Sequence, residues 1–180
     1  MTRDLFDTVQ IDAMAGMTAA YIRERRDEFF PKGRSLSKAE LSALAPFFDS
    51  SVLNKVRIYQ LGGHRLQNPE FYRSLVEMGL HNLPDFSNMA AITFVDTVAF
   101  HERVSLPVLF HELVHVVQYR LLGVDTFASR YVNGFLRNGG YEGIPLEINA
   151  YELDARFSAN PKLSFDVKAE VRAWNNGGRF

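Results

Sequence analysis

The chain has 180 residues, 47% of them apolar and 23% charged, with a formal net charge of −1. These are the proportions of one globular domain able to bury a hydrophobic core, without the basic surface of a nucleic-acid binder. The absence of cysteine excludes disulfides, thiolate-held zinc and iron–sulfur clusters, so any transition metal has to be held by His and carboxylate.

Residues 1–6 carry an acid near the start and no apolar run, unlike a secretory signal, and no apolar run elsewhere is long enough to span a bilayer. The expected compartment is the cytoplasm, with no membrane partner. Residues 9–30 lack proline, are rich in helix formers and meet Pro31-Lys32-Gly33, which predicts a helix stopped by a Pro/Gly pair. Its mixed charge cluster, residues 23–28, reads as a solvated face with i,i+4 pairs. Ser37-Lys38-Ala39-Glu40 has the form of a capping box and predicts a helix ending near residues 46–49.

Residues 52–61, with Val, Ile and Tyr ahead of Gly62-Gly63, predict a strand and a turn. Asn68-Pro69 predicts an N-cap and first helical position, opening a short helix that stops near Gly79. Residues 91–100, rich in β-branched and aromatic side chains, predict a strand. Ser105-Leu106-Pro107 starts a helix over 108–122 that Gly123 ends. Asp125 is expected to cap another helix toward Arg137, ended by Asn138-Gly139-Gly140. Ile144-Pro145 opens a helix over 146–159, and a last helix over 164–174 precedes the tail Asn175-Asn176-Gly177-Gly178. The sum is one predominantly helical α+β domain over 1–180 with a short antiparallel sheet, no repeat and no linker.

The helix over 108–122 carries His111-Glu112-Leu113-Val114-His115. Residues four apart share a helix face, so the two imidazoles can be aimed at one point, as zinc ligation requires. In this motif the intervening Glu112 lies next to the water that the metal acidifies and serves as general base. A catalytic zinc site has three protein ligands and one open position. No His follows His115, and Gln118 and Leu121 stand where an HExxHxxGxxH motif has Gly and His. The third ligand is therefore expected to be a carboxylate.

Glu147 is the first candidate. On its helix Glu147, Ala150, Tyr151 and Asp154 share one face, and the small Ala150 allows close packing against the HELVH helix. Glu152 points about 140° away, toward solvent. Glu142, in a Gly-flanked loop, is the second candidate, and the bland role for Glu147 is to complement its helix dipole. Tyr141 is a candidate donor to the oxyanion of a tetrahedral intermediate, against the alternative of a packing residue. His101 is expected to be an exposed strand-end residue rather than a cleft group, and His64 and His81, beside turns, to be surface residues.

HELVH with a later Glu in a Glu-x-x-Ala helix resembles the zincin metallopeptidases in their gluzincin arrangement. His-Glu-Leu-Val-His-Val-Val-Gln is also similar to small bacterial HExxH domains of largely undefined substrate. The resemblance covers residues 91–157, leaves 1–90 as a helical N-terminal part, and makes 91–160 the metal-binding core. It implies Zn²⁺ on His111, His115 and Glu147, Glu112 as general base, and hydrolysis of peptide or amide bonds. It also implies an antiparallel edge strand over 91–100 that pairs with an extended peptide or protein substrate. The thermolysin-like pattern has Asp four residues after the third ligand; here that position is Tyr151, and Asp154 is the candidate to hold the first His. The rival readings are a non-catalytic zinc-binding peptide-recognition or sensor domain on the same scaffold, and a metal-free helical protein in which HELVH is accidental.

Overall fold

Asp7 starts the first helix by accepting from the Gln10 N–H at 2.8 Å, while the Gln10 side chain accepts from the Asp7 N–H at 2.9 Å. This reciprocal cap satisfies two donors that a helix start leaves free. The computed structural model describes residues 6–180, so the segment read against a secretory signal lies, but for Phe6, outside the described residues. Helix α1 (Thr8–Phe29) gives way at Pro31 to a single 3-10 turn, as expected from the Pro/Gly pair. Its charge cluster is more than a solvated face. Arg23 reaches Asp125 at 2.7 Å and Arg26 grips both carboxylate oxygens of Asp96 at 2.8 and 3.1 Å, beside the local pair of Lys32 with Glu28.

The Ser37–Glu40 capping box forms as read and opens α2 (Lys38–Leu44). The strand expected over 52–61 is shorter: α3 (Ser50–Leu53) takes its first residues and β1 is Arg57–Gln60. Val52 and Leu53 are buried in the core from that helical turn, and such packing overrides their β propensity. Asn68 does not cap a helix either. Its Oδ1 accepts from the Phe86 N–H at 2.8 Å, pinning a distant turn, and α4 (Tyr72–Glu77) starts later.

Residues 91–100 form a hairpin rather than one strand, with β2 (Ala91–Phe94) and β3 (Thr97–Phe100) joined at Val95-Asp96. Val95 sits at φ 62°, where a β-branched residue is strained by about 1–2 kcal/mol. The Arg26–Asp96 fork holds this turn from outside, which no local turn signal could announce. β3 is central, antiparallel to β2 and parallel to β1, so the sheet is mixed rather than antiparallel and β2 lies at its edge.

Four helices complete a predominantly helical α+β fold: α5 (Leu106–Leu122), α6 (Val124–Arg137), α7 (Pro145–Ala159) and α8 (Val167–Asn176). Gly123, at φ 76°, stands between α5 and α6, so Asp125 lies in the first turn instead of capping it. α8 starts later than expected because Asp166 caps it, accepting from the Ala169 N–H at 3.1 Å. Two apolar clusters flank α5: one joins it to β1, β3, α7 and α8, the other lies among α1, β2, α4 and α6. Every residue from 109 to 119 is buried, as befits a helix apolar on all sides. HELVH is thus interior. Among the described residues no helix is long and apolar enough to cross a membrane.

Candidate metal centre

The site begins with two helices brought unusually close. At Gly134 in α6 an added Cβ would lie 2.7 Å from Pro145 Cδ, so the start of α7 packs directly on α6. Ala150, fully buried, lets the next turn of α7 approach α5. This docking carries Glu147 to the histidines. His111 Nε2 and His115 Nε2 lie 3.2 Å apart, and Glu147 Oε2 is 3.4 Å from each. Ligands at tetrahedral angles and metal–ligand bonds of 2.0–2.1 Å are separated by about 3.3 Å, so the three atoms already have the spacing of one face of a zinc site.

All three side chains are buried, and Glu147 Oε2 has no hydrogen-bond partner. A buried carboxylate oxygen without a donor is costly, and a cation at the shared focus satisfies it. Burial alone would lower the His115 pKa, but the adjacent Glu147 carboxylate outweighs that effect and pushes it up to about 9. Burial would likewise raise Glu147, yet the two histidines hold it well below the usual carboxylate range. Among the described residues this is the one His/carboxylate group whose ligand atoms converge in this way. Two imidazoles and a carboxylate, with no thiolate, form a donor set that fits zinc.

No family model, curated protein or solved structure matches this chain. The chemistry has to be read from the site's own geometry.

Around the three ligand atoms the side chains are tied down. Gln118 Oε1 lies 2.8 Å from His115 Nδ1, while its amide nitrogen donates to Leu146 O at 2.9 Å and Asn149 Oδ1 at 3.0 Å. Gln118 therefore links the helix that carries both histidines to the helix that carries Glu147. Glu112 receives the Thr93 hydroxyl, 2.7 Å from its Oε2, and Thr93 belongs to the edge strand β2. Glu112, His115, Glu147 and Thr93 line one cavity, so the carboxylate next to the cluster is oriented by the edge strand that borders it. Neither Gln118 nor Thr93 was singled out as an orienting residue by sequence. Gln118 was legible as the residue one turn after His115 on the same face, whereas nothing local connects Thr93 to Glu112.

Tyr141 lies on the same cavity, and burial, with Glu147 nearby, pushes its hydroxyl well above its ordinary pKa, keeping it a donor. Tyr151 is 51% exposed, its ring centre 4.5 Å from that of His111, at the rim rather than beneath the ligands. Asp154 bonds Ser158 Oγ at 3.2 Å, and among the described residues no hydrogen bond joins it to either imidazole. Orientation of a ligand falls instead to Gln118. Glu142 is exposed in the turn before α7 and outside the cluster.

His101 is 2% exposed, contrary to the expectation of a surface residue. Its Nε2 accepts from the Leu66 N–H at 3.1 Å and its Nδ1 faces Met89 O. Loops on both sides lack sheet partners there, and the imidazole supplies one acceptor and one donor to close them. His64 and His81 are exposed, as read.

Proposed function

We propose that the protein is a zinc-dependent hydrolase of peptide or amide bonds. The observation that carries this is the convergence of His111, His115 and Glu147 on one focus, at tetrahedral spacing, beside a cavity lined by His115, Glu147 and Glu112. Zinc bound there supplies Lewis acidity toward a carbonyl oxygen and lowers the pKa of water. Glu112, steadied by Thr93, takes the proton of the attacking water and returns it to the leaving amine. Tyr141 donates to the oxyanion, and an extended peptide or protein substrate lies along β2, the edge strand that lines the cavity. Kinship with the zincin metallopeptidases belongs to this proposal and rests on HELVH and the third carboxylate. A cytoplasmic setting belongs to it too, and cell fractionation tests that.

The edge position of β2 also supports a second reading, a zinc-binding peptide-recognition domain without turnover. Elemental analysis and a peptide-cleavage screen separate them. Near one zinc per chain, lost in His115→Ala, with cleavage that disappears in Glu112→Gln while zinc stays, is the outcome expected of the hydrolase. Zinc and peptide binding without cleavage leaves the recognition domain, and no stoichiometric metal in the wild type overturns both.

A further inference from the structure

Val95 is the one residue other than glycine with a positive φ among the described residues, at 62°. Phe94 pairs with Thr97, so Val95-Asp96 is a complete two-residue hairpin turn. Such a turn needs a left-handed first residue to match the twist of its strands, and Gly, Asn or Asp normally supplies it. A β-branched residue stays there only when its surroundings over-determine it. Here they do so from outside the hairpin. Arg26 in α1 forks onto both Asp96 carboxylate oxygens at 2.8 and 3.1 Å, and the Asp96 carbonyl accepts from the Arg57 N–H at 2.9 Å. The Arg26 guanidinium lies 4.1 Å from the centre of the Phe30 ring, which limits its freedom to leave. Bidentate, with side chains only 31% and 25% exposed, the Arg26–Asp96 pair has the geometry in which ion pairs count.

The turn bears on the metal centre through Thr93, which stands two residues before Val95. Thr93 pairs with Val98 in the register that the turn fixes, and its hydroxyl oxygen lies 2.7 Å from Glu112 Oε2 and 3.1 Å from Glu112 O. β2 is four residues long and is hydrogen-bonded to a neighbouring strand on one side only. Its position therefore depends on its ends. If Val95 relaxed to a negative φ, the turn would take the opposite twist and splay β2 from β3, and a one-residue slip would turn Thr93 away from α5.

Resting on the hydrolase reading, we propose that Arg26 is a positioning residue for Glu112: by gripping Asp96 it holds Val95 in the left-handed turn, and the turn keeps the Thr93 hydroxyl on the Glu112 carboxylate. The strain at Val95 is what makes an ion pair outside the site part of its construction. Val95→Gly would let the turn stand without the clamp, because glycine takes a positive φ at no steric cost.

The test uses the full chain loaded with zinc, carrying Arg26→Ala or Asp96→Asn, each alone and combined with Val95→Gly or Val95→Asn, residues at ease in the left-handed region. Two variants break the fork and two relieve the turn, so one folding defect does not remove the test. The substrate is the best-cleaved member of a randomised quenched-fluorescence peptide library. The NMR shift of the Thr93 methyl group is followed beside it, as a readout independent of turnover. Breaking the fork is expected to displace the Thr93 methyl resonance and to lower kcat about 5–10-fold at unchanged KM and zinc content, no more than loss of the Thr93–Glu112 hydrogen bond costs. Val95→Gly or Val95→Asn is expected to restore both. A pair that merely staples α1 to the sheet would lower thermal stability and leave the methyl shift and kcat alone. That result overturns the proposal, as do losses of equal size in all three Val95 backgrounds. A wild type that cleaves no peptide sinks the hydrolase; the clamp on Thr93 is then sustained by a methyl shift that Val95→Gly reverses, and overturned by its absence.

Discussion

Gln118 Oε1 accepts a hydrogen bond from His115 Nδ1 at 2.8 Å, and the orientation of that amide is not free. Its nitrogen faces two acceptors, Leu146 O and Asn149 Oδ1, so the oxygen must face the imidazole. Nδ1 then keeps its proton, and Nε2, which a pKa of about 9 leaves protonated at neutral pH, presents a lone pair to the shared focus once a cation displaces that second proton. Such partners fix the tautomer and direction of a ligating histidine, and their loss lowers metal affinity about 10–100-fold. Gln118→Leu is expected to weaken zinc binding by that factor with the helices intact. A chelator competition checks it, and an unchanged affinity would remove Gln118 from the site.

Zinc is expected to stabilise the fold, because it satisfies the orphaned Glu147 Oε2 and two imidazoles only when α5 and α7 are docked. At a free concentration a hundred times the dissociation constant, one site contributes about 2.7 kcal/mol, and each kcal/mol shifts the midpoint by roughly 2–4 °C at this chain length. Thermal unfolding of the metal-free protein should therefore move up by several degrees on adding zinc. The same addition should leave His115→Ala unmoved; an equal shift there places the bound metal elsewhere.

Thr93→Val removes the hydroxyl that holds Glu112 and leaves the three ligand atoms untouched. A hydrogen bond to a charged group contributes about 1.5–3 kcal/mol, so peptide cleavage is expected to fall at least about 10-fold at full zinc content. Parallel rate and zinc measurements distinguish this from metal loss. An unaltered rate would mean that Glu112 needs no support from β2.

The Arg34 fork, at 2.7 Å to each carboxylate oxygen of Glu40, with the Ser37 cap beside it, lowers the Glu40 pKa to about 2. The unfolded value is about 4.3, so the stabilisation is complete above that pH and is lost as pH falls from there toward about 2. Arg34→Ala is accordingly expected to be less stable than the wild type at pH 7, with the difference shrinking through this window. Urea unfolding at pH 7, 4 and 2.5 measures it, and a difference constant with pH would detach Glu40 from Arg34.

What was local in the chain was legible in it. The capping box at Ser37, the Pro145 start of α7 and the unbroken apolar helix with His111 and His115 one turn apart all follow from residues within a few positions of each other. Glu147 was reachable as well, since cysteine-free composition and the lack of any later His left a carboxylate, and Ala150 marked the face that packs closely. The hairpin at Val95-Asp96 was not, because its turn residues are poor ones held by Arg26 far upstream. His101 was misread for the same reason: its burial comes from Leu66 and Met89, which only the folded chain sets against it.

By itself, then, the sequence determined the long helices, though not the short α3 and the start of α4, and it placed the pair of imidazoles and pointed to a carboxylate beside them, because helix periodicity and side-chain chemistry act over short spans. Tertiary packing alone decided that Glu147 Oε2 would meet both imidazoles at 3.4 Å, that Thr93 would hold Glu112, and that α1, α4 and α6 would enclose an apolar space beside them. Those relationships join residues tens of positions apart, and they exist only once the burial of two apolar clusters has set the helices in place.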